Sequence, residues 1–82
     1  MSELPLSVIE KRIAKRLEIR RKLLGISQKN LANACSLSLE KYRKFENAEE
    51  TILPCELMLI AKTLNVPLLY FYWEAGVSDT LH

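Results

Sequence analysis

The stretch "SQKNLANACSLSLEKYRKFE", Ser27 to Glu46, sets two short helical patterns against each other with only "SLS" between them. Leu31, Ala32 and Cys35 share one side of the first pattern, at i, i+1 and i+4; Tyr42 and Phe45 share one side of the second. Each is about two turns long, too short to hold a helix alone in water, so tertiary packing has to fix both. Ser27 and Ser38 stand where N-caps are needed. A bend this tight lets the second helix stand clear of the body, with Lys41, Arg43 and Lys44 on a surface the core does not require.

The flanking segments read as helices too. "SVIE", Ser7 to Glu10, has the capping-box pattern, and Ile9, Ile13, Leu17 and Leu24 follow as one apolar stripe. Gly25 is expected to end this helix in a left-handed conformation, bracketed by Leu23 and Ile26. After the polar loop "NAEETIL", Pro54 suits the first turn of a fourth helix lined by Leu57, Ile60, Ala61 and Leu64 and closed by Asn65. Pro67 opens a fifth, short helix over "LLYFYW", in which Leu69 and Phe71 are expected in the core. No strand pattern or repeat interrupts the series. The expected architecture is all-α, a compact bundle of five short helices in one domain over residues 1–74, with a flexible tail over 75–82.

Composition narrows the function. At 82 residues, 49% apolar and 27% charged, the chain has ordinary globular character. No apolar run reaches the length of a membrane span, and the start lacks the basic-then-apolar order of a secretory signal, so a cytoplasmic location is expected. Cys35 and Cys55, with His82 the sole histidine, cannot furnish a zinc site; both thiols are expected reduced and packed as small apolar residues. No cofactor is implied. Neither a nucleophile with a histidine nor a glycine-rich phosphate loop is present, so an enzyme is not expected.

The net charge is only +2, yet Lys11 to Lys44 carries eleven Lys/Arg residues against Glu18 and Glu40. The chain from Phe45 onward sets Lys62 against six acids. Such asymmetry suits a basic face for a polyanion. A helix standing proud of the body fits the DNA major groove, which is about 12 Å wide.

Taken together, "GISQKNLANA", "LS" in the turn, "YRKFEN" and "LMLIAKTLNVPLLYFY" resemble the Cro/C1-type (Xre family) helix-turn-helix domains, in particular small alphaproteobacterial regulators. The resemblance runs from about Ile9 to Trp73 and implies a lambda-repressor-like fold. It implies a sequence-specific, double-stranded-DNA-binding transcriptional regulator, a homodimer on an inverted repeat. The alternative is a protein-interaction module, antitoxin or adaptor-like, on the same fold. Ser36 stands where the family turn usually has glycine, Cys35 where it has a core leucine, and Ala48 where glycine often follows the third helix. A Ser36 that keeps the family turn must adopt φ > 0.

Carried over residue by residue, the resemblance puts Gln28, with Ser27, at a phosphate. Leu39, Glu40, Arg43 and Lys44 match the base-facing positions. Lys41 and Asn47 match phosphate positions. Glu40 either accepts from cytosine or repels phosphate; Arg43 or Lys44 reaches guanine. Arg21 and Glu46 match an ion pair between the first and third helices; read alone, they are two exposed charges. Tyr70, Tyr72 and Trp73 exceed what one short helix buries and are expected at a dimer interface.

Overall fold

The computed structural model describes residues 6–72, and Trp73 lies outside them. Four α-helices follow in order: α1 (Leu6–Leu23), α2 (Gln28–Ala34), α3 (Leu39–Glu46) and α4 (Pro54–Leu64). The expected fifth helix is a 3₁₀ helix, Leu68–Tyr72. Its bond from the Tyr70 N–H to the Pro67 carbonyl, 2.9 Å, spans three residues. Five residues behind a proline are too few for an α-helical ladder. No strand occurs among the described residues.

One core joins these elements. Leu17, Leu31, Tyr42, Phe45, Ile60, Leu64 and Phe71 are its largest fully buried side chains. The α1 stripe holds for Ile9, Ile13 and Leu17, but Leu24 is exposed. The helix stops at Leu23, and the next inward position after Leu17 is taken by Arg21, also buried. Ser7 lies inside α1 rather than at its cap.

All four helices end alike. In each, a residue with positive φ sends its N–H back to a carbonyl three positions earlier, and the next residue's N–H reaches five positions back. The left-handed residues are Gly25 (φ 71°), Ser36 (57°), Ala48 (57°) and Asn65 (59°). This is the Schellman termination, normally built on glycine. Ile26, Leu37 and Val66, each just after its turn, pack against the core, which fixes where the chain goes next. Ser36 and Ala48 hold the same geometry against the Cβ clash that disfavours left-handed backbone.

Long basic side chains complete the packing. The Arg20 Nε–H donates to the Leu64 carbonyl at 3.1 Å, so α1 satisfies an orphan acceptor at the C-terminal end of α4. Buried Arg16 lies over the Tyr70 ring, 4.9 Å from its centroid. Cys35 is buried, and burial pushes its thiol pKa up; Cys55, expected inside, is exposed on the outer side of α4. No helix among the described residues is long and apolar enough to cross a membrane.

Candidate nucleic-acid interface

Helices α2 and α3 begin as their serines require. The Ser27 hydroxyl accepts from the Asn30 N–H and the Ser38 hydroxyl from the Lys41 N–H, both at 3.0 Å. Each hydroxyl keeps its own proton to donate outward. Between the helices, Ser36 turns the chain through left-handed backbone, and Leu37 packs beneath. The α3 helix then buries Tyr42 and Phe45. At about 100° per residue, Glu40, Arg43, Lys44 and Asn47 occupy the opposite arc, and all four are exposed. Leu39 is half-buried at its edge.

Three side chains converge on Glu46 through four hydrogen bonds. Arg21 approaches through Nε at 2.5 Å and Nη2 at 3.2 Å. The Gln28 amide donates to Oε1 at 2.9 Å, and the Tyr42 hydroxyl donates to Oε2, which Arg21 Nε also reaches. The Arg21 and Glu46 side chains are only 10% and 4% exposed, so this is a buried, forked ion pair rather than two solvated charges. The hydrogen bond it donates to Glu46 raises the Arg21 pKa above its ordinary value against the cost of burial. Burial, reinforced by the carboxylate, pushes the Tyr42 phenol upward, so it stays protonated and donating. Arg21 also holds the Ile26 carbonyl at 2.9 Å, linking α1 to the entry of α2.

The network reaches the exposed arc through Gln28. Its amide nitrogen faces Glu46 and its carbonyl accepts from the Arg43 Nε–H at 3.4 Å, a long contact that aims Arg43 along the α2 side of α3. Ser27, Gln28, Arg43, Lys44 and Asn47 thus lie on two helices whose relative placement is set by a buried carboxylate. Tyr42 was not among the residues expected in this cluster, although Tyr42 and Glu46 stand four apart on α3, neighbours on a helix surface.

Two expected site residues are placed otherwise. The Lys41 ammonium turns away from the exposed arc to Glu56, at 3.0 Å, and Glu50, at 3.7 Å. Tyr70 is 8% exposed within a single chain, whereas Leu69, expected inside, is 64% exposed. The 3₁₀ period explains the exchange: with about three residues per turn, Leu69 and Tyr72 eclipse on one face, and Tyr70 and Phe71 turn inward. Tyr72 stays outward, as expected, at 45% exposure.

A short buried-edge helix, a tight left-handed turn and a second helix with a solvent-facing basic arc define a helix-turn-helix domain. The chain belongs to the Cro/C1-type helix-turn-helix family: the family model HTH_3, described as helix-turn-helix, matches residues 17–71. An uncharacterized HTH-type transcriptional regulator of Sinorhizobium medicae is 28% identical over 67 residues, covering 82% of this chain and 48% of the relative. A transcriptional regulator in the ATPase CF(0) region of Rhodospirillum rubrum is 30% identical over 90% of this chain and 68% of its own length. The chain therefore spans about half of the Sinorhizobium relative and two thirds of the Rhodospirillum one. The crystal structure of the hypothetical transcription factor NHTF from Neisseria superposes over 100% of this chain and 95% of its own, with a TM-score of 0.82 at 22% identity, a likeness of fold.

Proposed function

We propose that this chain is a sequence-specific double-stranded-DNA-binding transcriptional regulator that acts as a homodimer on an inverted repeat. The observation that carries the reading is the exposed arc Glu40, Arg43, Lys44 and Asn47 on α3, held in register by the Glu46 network. A surface helix of eight residues needs no buried, three-partner carboxylate to stay folded; a reading head that must meet base edges at fixed positions does. In this reading α3 lies in the major groove. Arg43 faces guanine, Lys44 a flanking phosphate and Glu40 cytosine N4, and Leu39 packs on a thymine methyl. The α2 N-terminus, with the Ser27 hydroxyl and Gln28, lies against a phosphate. The protein is cytoplasmic in this reading and carries no catalytic activity.

One such unit reads only a few base pairs, and each good contact supplies about 1–3 kcal/mol of discrimination. Two copies spaced by one DNA turn, about 34 Å, roughly double it. The basic segment is a poor dimer surface because two copies repel. The outer face of the 3₁₀ helix suits it better: Leu68, Leu69 and Tyr72 are exposed, and Tyr72 borders an apolar cleft of about 240 Å³ with Ile9, Ile13 and Ile52. The proposed interface is therefore centred on Leu69 and Tyr72, with Trp73 adjacent in sequence and Tyr70 beneath as core. The test of DNA binding is its salt dependence. With about four to six phosphates neutralised per dimer, log K against log[salt] falls with a slope of roughly −4 to −5. A flat dependence removes the reading in favour of a protein-interaction module.

A further inference from the structure

Family resemblance makes Lys41 a phosphate contact; the geometry points elsewhere. We propose that Lys41 is a positioning residue that ties α3 to the start of α4 through Glu56 and Glu50 and leaves phosphate binding to its neighbours. The inference rests on the DNA-binding reading and refines which residues carry it.

Lys41 lies on the flank of α3 beside Phe45, one turn earlier, with its ammonium 5.9 Å from the Phe45 ring centroid. Its nearer acceptor is fixed in advance. The second oxygen of Glu56 accepts from the Leu53 N–H at 2.9 Å, which caps the first turn of α4, and the Glu56 side chain is only 14% exposed. Glu50, in the connection between α3 and α4, approaches the same ammonium. One cation thus faces two carboxylates, and the group as a whole is negative. A phosphate brought to this point meets an ammonium already neutralised and a residual negative charge. Arg43 lies toward α2 and Lys44 on the outer arc, and Lys44 makes no ion pair among the described residues. The cluster also ties down the polar "NAEETIL" loop: one lysine of α3 holds Glu50 within it and Glu56 just beyond it.

The distinction is measurable because each phosphate contact changes the salt slope of binding by about 0.9. The assay is fluorescence anisotropy of the full chain with a duplex selected from a random pool, over a salt series. Lys41→Met is expected to leave the slope within about 0.3 of the parent, while Lys44→Met reduces its magnitude by about 0.9 per subunit. In Glu50→Gln/Glu56→Gln the glutamine at 56 still accepts from Leu53, but Lys41 is released. That variant is expected to steepen the slope by about 0.9 per subunit and to bind about eightfold tighter per subunit at 0.1 M salt. Adding Lys41→Met should abolish the gain. The proposal is overturned if Lys41→Met flattens the parent's slope as Lys44→Met does. It is equally overturned if the glutamine variant keeps its full gain without Lys41, which would make the acids simple repellents. A parent that binds no duplex at any salt fails the functional reading itself, a result distinct from both.

Discussion

Replacing Arg21 by methionine leaves the Glu46 carboxylate in a site 4% exposed, with Gln28 and Tyr42 as its remaining donors and no opposing charge. Breaking one side of a buried pair costs about 3–5 kcal/mol. At roughly 0.05–0.15 kcal/mol per residue, the whole domain has only about 4–12 kcal/mol to lose. Arg21→Met should therefore be severe, lowering a urea midpoint by roughly 2–5 M for an m-value of about 1–1.5 kcal/mol/M. Glu46→Gln keeps an acceptor for the Tyr42 hydroxyl but strands the guanidinium, whose remaining partner is the Ile26 carbonyl. The double variant strands neither charge. Its cost should fall below that of Arg21→Met alone, with a coupling of at least about 1.5 kcal/mol in the double-mutant cycle. Urea melts followed by far-ultraviolet circular dichroism at pH 7 measure all four corners. Coupling within about 0.5 kcal/mol of zero would refute the reasoning, because distant, independent sites add within that margin.

Other consequences are simpler to test. Ser36→Gly and Ala48→Gly should each stabilise the fold by about 0.5–1 kcal/mol in thermal melts, since relief of left-handed strain exceeds the extra freedom glycine gives the unfolded chain. Gly25→Ala should lose roughly 1 kcal/mol through φ alone, because a Cβ at Gly25 meets nothing within 4 Å. Burial works to raise the Glu56 pKa, but the Leu53 amide and Lys41 outweigh it, so the group lies below its ordinary 4.5. Its contribution is present above pH 4.5 and is lost as the pH falls through the depressed value, so Glu56→Gln should flatten the acid limb of a stability profile there. Leu69→Glu/Tyr72→Ala should shift sedimentation from dimer to monomer; an unchanged dimer would place the interface elsewhere.

Local chemistry made some features readable from the sequence. The caps at Ser27 and Ser38, proline at the start of α4, and left-handed ends at Gly25 and Asn65 each follow from one residue's own preferences. Features set by partners far along the chain were not readable this way. Arg21 and Glu46 stand 25 positions apart, and neither local pattern distinguishes them from solvated charges; only the family resemblance joined them. Lys41 and Glu56 meet across the α3–α4 connection, where resemblance pointed outward instead. The exchange of Leu69 and Tyr70 arose because the last element turns with a 3₁₀ period, which five residues cannot reveal. Leu24 is exposed because α1 ends at Leu23, so the helical period that sets the apolar stripe does not reach it.

The central claim is that α3, fixed by the Glu46 network, reads base edges in duplex DNA. Selection of bound duplexes from a random pool, carried out in parallel with the parent chain and Arg43→Ala, tests it most directly. The account predicts an enriched inverted repeat with half-site centres one helical turn apart, about 34 Å. With Arg43→Ala, it predicts relaxed preference at one position in each half-site and unchanged spacing. A pool that shows no enrichment with the parent, or an Arg43→Ala pool with the parent's base preferences intact, would contradict it.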